Sequence, residues 1–217
     1  MDLREPPDHG EIRLRLSMPP ASRQATTVAK KQVADAVRLQ TRPIEYLLDG
    51  YITVDLEWHI HEKYRWESDA SADVDNIVKP LLDAISGPEG LFIDDSQVKS
   101  FSSSWFSTTN ENEYVDIVIK FIAGEWLPKR DLVFVRLKNA LCYPVPREVR
   151  EKALGIWLAA LKEALEAREN LETLTKNYYP ARYVLPRGFM HRTRLNAFTV
   201  LELSALEAEA ASSPSAR

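Results

Sequence analysis

The chain has 217 residues, 45% of them apolar and 28% charged, with a formal net charge of −4; this length and balance exclude a wholly disordered chain and allow one large domain or two small ones. The single cysteine, Cys142, excludes an internal disulfide and a cysteine-built zinc site within one chain. The opening MDLREPPDHG is charged and proline-rich, and the longest mainly apolar stretch, 153–161, is too short to span a bilayer, so the expectation is a cytoplasmic protein without membrane contact.

Residues 11–17 (EIRLRLS) alternate charged and apolar side chains, which predicts a strand facing a core on one side, ended by Met18-Pro19-Pro20. Thr26 or Thr27 is placed to cap a helix running to about residue 40, with Val28, Val33, Ala36 and Val37 on one face. The clearest strand is 51–61: Ile52, Val54, Leu56, Trp58 and Ile60 point one way, and Thr53, Asp55, Glu57, His59 and His61 the other. A polar loop to about residue 72, a short helix over 79–85 and a turn cluster at 86–90 follow. Two further strands are predicted at 97–107 and 114–122, joined by a hairpin loop at 108–112. A boundary falls at 123–128. Beyond it the pattern predicts a strand within 131–138, one long amphipathic helix over 146–174 carrying Ile156 on its apolar face, a strand at 198–203 and a disordered tail from 208.

The net charge conceals a division. Residues 45–125 carry seventeen acidic and five basic side chains, whereas 173–201 hold Lys176, Arg182, Arg187, Arg192 and Arg194 and no acid. Carboxylates to hold a metal and cations to hold phosphates are what a nuclease needs. The acidic part contains DVDNIVKPLLDAISGPEGLFIDDSQVK, residues 73–99. If Asp73 and Asp75 lie in extended backbone, both side chains share a face, and two such carboxylates call for a hard divalent cation, with Mg²⁺ the default. Asp94 and Asp95 are adjacent, so only one joins the same ion easily. Pro80 fits the first turn of a helix, which puts Lys79 at the helix start.

The combination Asp73-Val74-Asp75-Asn76-Ile77-Val78-Lys79-Pro80-Leu81-Leu82-Asp83-Ala84-Ile85 followed by Asp94-Asp95-Ser96-Gln97-Val98 resembles the RusA family of Holliday-junction resolvases, and Leu16-Ser17-Met18-Pro19-Pro20 resembles that family's strand-then-proline opening. The resemblance covers about residues 11–122. It implies an α/β (α+β type) fold, a small mixed β-sheet packed with helices, over 1–125. Outside the resemblance, the residue pattern predicts a C-terminal extension over 126–207 with a strand, the long helix and the basic aromatic segment, and a disordered tail over 208–217. The resemblance further implies a homodimer that cuts branched DNA in recombination and repair with Mg²⁺ or Mn²⁺ and no organic cofactor. Asp73, Asp75 and Asp95 match the family's essential acids, Lys79 its essential lysine, and Asp94 the neighbouring aspartate that assists at the metal. Asn76 and Asp83 match the motif but read as structural.

One departure stands out. The stretch before Asp73, residues 62–70, holds more acid than base, so DNA contact shifts to other residues. Candidates are Arg13, Arg15, Arg23, Lys30 and Lys31, together with Lys176, Arg182, Arg187, Arg192 and Arg194, which interleave with Tyr178, Tyr179, Tyr183 and Phe189 in a pattern suited to phosphate contact and base stacking. His59 and His61 lie two apart on a strand face but lack an evident third ligand, and read as exposed or locally bonded. Cys142 reads as a small buried residue. The competing reading is a non-catalytic RusA-like module that binds nucleic acid or a protein partner.

Overall fold

The computed structural model describes residues 2–68, 73–109, 112–185 and 188–212. The chain divides into two units, Met1–Leu127 and Pro128–Arg217. In the first, alternating strand sequences build a four-stranded sheet from β1 (Glu11–Leu16), β3 (Ile52–His61), β4 (Val98–Thr108) and β5 (Tyr114–Lys120). Its order is β1-β5-β3-β4. β5 runs antiparallel to β1 and β3, and β3 runs parallel to β4. Every second residue of β3, from Ile52 to Ile60, is buried, together with Ile12, Leu14 and Leu16 of β1 and Val115, Ile117 and Ile119 of β5. Two helices, α1 (Thr27–Thr41) and α3 (Val74–Ile85), supply the opposing apolar residues Val33, Val37, Ile77, Leu81 and Ile85. A two-stranded sheet pairs β2 (Tyr46–Leu48) with β6 (Trp126–Pro128).

Several expectations change. β4 and β5 are not a hairpin: β3 lies between them. β5 buries Val115, Ile117, Val118 and Ile119 and takes an interior position, whereas serine-rich β4 is mostly exposed and suits an edge. α3 is then the crossover that lets β4 run parallel to β3. After β3, the predicted loop contains a short helix, α2 (Glu62–Glu67), capped by His61, whose Nδ1 accepts from the Lys63 N–H at 3.2 Å. Val28 is exposed, because the buried stripe of α1 is Val33, Val37 and Thr41.

The second unit has a sheet ordered β10 (Val200–Glu202), β7 (Val133–Arg136), β8 (Leu141–Val145) and β9 (Met190–His191). In place of one helix over 146–174 there are two, α4 (Arg147–Lys152) and α5 (Leu154–Thr175), broken at Ala153, whose φ of −143° and ψ of 17° leave the helical region. Leu154, Leu158 and Leu161 face the core, while Ile156 is exposed. A four-residue helix, α6 (Tyr178–Ala181), follows. The start of the predicted tail is ordered: α7 (Leu203–Ser212) buries Leu206, and Arg150 donates twice to the Glu209 carboxylate at 2.7 and 2.8 Å. Residues 213–217 lie outside the described residues. Cys142 is buried and forms no disulfide. No helix among the described residues is long and apolar enough to cross a membrane.

One partly buried carboxyl in the first unit carries a cost in stability. Burial pushes Asp49 up to about 6, reinforced by nearby Glu125, and its Oδ1 is buried without a hydrogen-bond partner. An acid whose folded pKa is raised holds its proton more tightly when folded, so stability falls as pH rises from the unfolded value near 4 through about 6. Asp49→Asn is expected to raise stability at pH 7.5 by ~1 kcal/mol and to flatten the loss between pH 4 and 6, read by urea unfolding across that range.

Candidate active site

The acid–lysine motif is organised by α3. Its apolar positions Ile77, Val78, Leu81, Leu82, Ala84 and Ile85 are buried against the first sheet, which leaves the polar positions facing out. The helix begins at Val74, five residues earlier than expected, and Pro80 lies inside it. A proline there cannot donate to the carbonyl four residues back, that of Asn76. That carbonyl is satisfied from elsewhere: the Arg23 N–H donates to it at 2.9 Å. The loop after Pro19-Pro20 is thereby pinned to the first turn of α3, and proline is tolerated because the orphaned acceptor has a tertiary partner.

This register corrects the expected geometry. Asp73 and Asp75 do not share a face through strand alternation, since Asp73 stands at the N-cap and Asp75 in the first helical turn. Asp75, Lys79 and Asp83 instead follow one another at four-residue spacing along one helical stripe. Aspartate is a strong N-cap, yet the Asp73 side chain makes no cap hydrogen bond. It is 75% exposed and has the Arg65 guanidinium 4.0 Å away. Arg65 itself lies over the rings of Trp66 and Trp105.

Asp94 and Asp95 arrive through a tight turn. Gly87, Gly90 and Leu91 close it with backbone bonds to Phe92, Gly87 and Ile85. A Cβ on Gly90 would lie 1.9 Å from the Ile85 carbonyl oxygen, so only glycine fits. Asp94 caps the 3₁₀ turn Asp95–Gln97 by accepting from the Ser96 N–H at 3.0 Å. Gln97, almost wholly buried, makes four hydrogen bonds. Its Oε1 accepts from the Ile93 and Asp94 N–H groups at 2.7 and 3.0 Å, and its Nε2 donates to the Leu48 and Gly50 carbonyls at 2.9 Å each. This uses the full capacity of the amide and anchors the turn that carries Asp95.

Lys79 joins the two segments. Its ammonium donates to Asp83 Oδ1 at 2.5 Å and to Asp95 Oδ2 at 2.7 Å. Partial burial alone would lower the Lys79 pKa, but the bonds to Asp83 and Asp95 outweigh it and raise it, so this lysine stays charged near neutrality. Asp83 thus serves Lys79 directly. A groove of about 880 Å³ opens beside Asp73 and Asn76, walled by Met18, Pro19, Trp58 and Tyr64.

The donor set fits a hard divalent cation: oxygen ligands only, with the Asp73 carboxylate left unused by the helix it precedes. Among the described residues, however, Asp73, Asp75, Asp94 and Asp95 do not offer three ligand atoms within 4.8 Å of one another; Glu57, His59 and Asp116 do. The sequence reading missed this second cluster. Glu57 precedes His59 by two on the same strand face, and Asp116 stands opposite Glu57 in the β3–β5 register. The strand pattern alone pairs Glu57 with His59, but the third ligand needs the pairing of β5 with β3.

The basic candidates are scattered. Arg13 pairs with Glu11, and Arg15 donates to both oxygens of Asp116 at 2.6 Å each. Lys30 donates to the Arg23 carbonyl and Lys31 to Asp35. Arg23, Lys176, Arg192 and Arg194 are exposed. The Arg182 guanidinium lies over the rings of Tyr179 and Tyr183, both exposed. Arg187 lies outside the described residues.

A family model, endodeoxyribonuclease RusA, matches residues 10–120, and the chain belongs to that family. No curated protein matches the chain. Family membership and a cluster able to coordinate a divalent metal together support a metal-using, nuclease-like enzyme.

Removing the anchor beneath Asp95 tests the architecture. Gln97→Leu strips partners from two buried N–H groups and two carbonyls, and is expected to lower stability by roughly 3 kcal/mol. Guanidinium unfolding measures this, and a loss under about 1 kcal/mol would show that the turn holds without the amide.

Proposed function

We propose that the protein is a Mg²⁺-dependent, structure-selective DNA endonuclease that acts on branched DNA of the Holliday-junction type in recombination and repair. The observation that carries this reading is the Lys79 ammonium held between Asp83 and Asp95, on the same helical stripe as Asp75. Family membership over residues 10–120 supports it.

Asp73, Asp75 and Asp95, with Asp94 adjacent, are the residues that would hold Mg²⁺, with Mn²⁺ able to substitute. Bound there, the ion supplies Lewis acidity, which acidifies an attacking water and neutralises charge on the scissile phosphate. Lys79 keeps its proton and offers a fixed positive charge to the phosphate oxygens as they gain charge. Asp83 holds the lysine in place through the one-turn spacing. The groove beside Asp73 gives a strand a place to lie, and the exposed cations Lys31, Arg23, Lys176 and Arg192 provide phosphate contacts that salt would weaken. A homodimer would present two such sites and allow paired nicks.

Cleavage of labelled four-way junction, fork and linear duplex tests this with the full chain. Wild type with Mg²⁺ is expected to nick the junction in symmetric pairs. Asp75→Asn and Lys79→Ala are each expected to lower the rate by about 100-fold or more while circular dichroism stays unchanged. A folded, metal-supplied wild type that cuts none of the three substrates would overturn the reading. Cutting of fork or duplex alone would retain the chemistry and reassign the substrate.

A further inference from the structure

The outward face of the first sheet carries a group of side chains that the acid–lysine motif does not use. Glu57 and His59 project from β3 on the side opposite to Leu56, Trp58 and Ile60, which pack under the helices. Asp116 projects beside them from β5, where Val115 and Ile117 are the buried neighbours. The motif on α3 lies on the other side of the sheet, so one ion cannot serve both places.

His59 Nε2 stands 3.9 Å from Glu57 Oε2 and 3.9 Å from Asp116 Oδ2. Both distances exceed a hydrogen bond, and the nitrogen is buried without a hydrogen-bond partner. Two ligands on opposite sides of a zinc-sized ion, each bound at roughly 2.0–2.2 Å, stand no more than about 4.4 Å apart, and less at tetrahedral angles. Tetrahedral coordination at such lengths separates ligand atoms by roughly 3.4 Å, so His59 would close on each carboxylate by about half an ångström, within a cluster whose three ligand atoms already lie within 4.8 Å of one another. The imidazole is fixed in plane between stacked rings, Phe106 at 5.4 Å and Tyr114 at 4.3 Å. Asp116 is oriented by two bonds from Arg15, whose guanidinium lies 4.4 Å over Tyr114. Ligating carboxylates ordinarily have such an outer partner, and each oxygen keeps a second lone pair.

We propose that Glu57, His59 and Asp116 form a second metal site, selective for an imidazole-accepting transition ion of the zinc class. One nitrogen and two carboxylates suit Zn²⁺ better than Mg²⁺, which prefers oxygen and keeps its waters. The ion would tie β3 to β5 from the face that the helices leave open. The site rests on its own geometry, on the face of the sheet that the acid–lysine motif does not occupy.

The test uses the full chain and Zn²⁺, with Co²⁺ as a spectroscopic substitute. Calorimetry on wild type should show one equivalent of Zn²⁺ bound at or below about 10 µM, and Co²⁺ should give visible bands of nitrogen–oxygen coordination. Asp75→Asn should leave both unchanged. His59→Gln should weaken Zn²⁺ binding by roughly 100-fold and abolish the rise in melting temperature that Zn²⁺ gives wild type. Asp116→Asn gives a second variant should the first fail to fold. Absence of binding to folded wild type would overturn the proposal. Binding that survives both cluster substitutions, or disappears with Asp75→Asn, would overturn it equally.

Discussion

β3 is hydrogen-bonded on both sides, to β4 and to β5, and its residues must therefore alternate strictly between two faces. Ile52, Val54, Leu56, Trp58 and Ile60 go to one face and are all buried. Burying them requires an apolar lid, which α1 and α3 supply, and that requirement places the acid–lysine motif on the exposed side of the lid. The other five residues, Thr53 to His61, cannot enter the core and must settle their polarity across the sheet. Asp55 does so with Lys120 and Ser102, both at 2.7 Å, and those bonds hold its carboxyl below the usual range. Glu57 and His59 face Asp116 without settling theirs: His59 Nε2 stays 3.9 Å from each carboxylate and makes no hydrogen bond. One strand's alternation thus assigns two kinds of chemistry to two faces.

The motif face is held by unusual solutions to ordinary hydrogen-bond accounting. Pro80 costs α3 one internal bond, and the freed Asn76 carbonyl becomes the attachment point for the loop after Pro19-Pro20. Gln97 is a buried amide, which would be destabilising if any of its groups lacked a partner, and all are satisfied. These two devices fix the segments that carry Asp73, Asp75 and Asp95, and Lys79 closes the gap between them. Residues that do no chemistry in the proposed reaction determine where the reacting groups stand.

Much of this was legible in the sequence. The alternation of β1 and β3 gave the strands and their faces, Thr26 marked the start of α1, and the motif spacing marked the family. Other features were not legible because they depend on partners far along the chain. Pro80 read locally as a helix start, since nothing near it shows that Arg23 supplies the missing donor. β4 and β5 read as a hairpin because they are consecutive, whereas burial sorts them to opposite sides of β3. Ala153 gives no local sign of the break between α4 and α5. His59 was set aside for want of a third ligand, which β5 brings from 57 residues further along the chain.

Both clusters solve the same electrostatic problem. A carboxylate near the interior loses solvation and needs a positive neighbour. At the motif, Asp95 has the smaller exposure, 20% against 75% for Asp73, and it is Asp95 that Lys79 holds. On the outer face, Asp116 is the less exposed of the two carboxylates, and Arg15 holds it. In each place a side chain of the protein compensates the acid that water serves least, while the better-solvated acid stays in reach of an incoming ion. Each place is thus a shell partly built by the protein's own side chains. The two shells differ in kind, oxygen alone on one face and oxygen with nitrogen on the other, so they favour different ions.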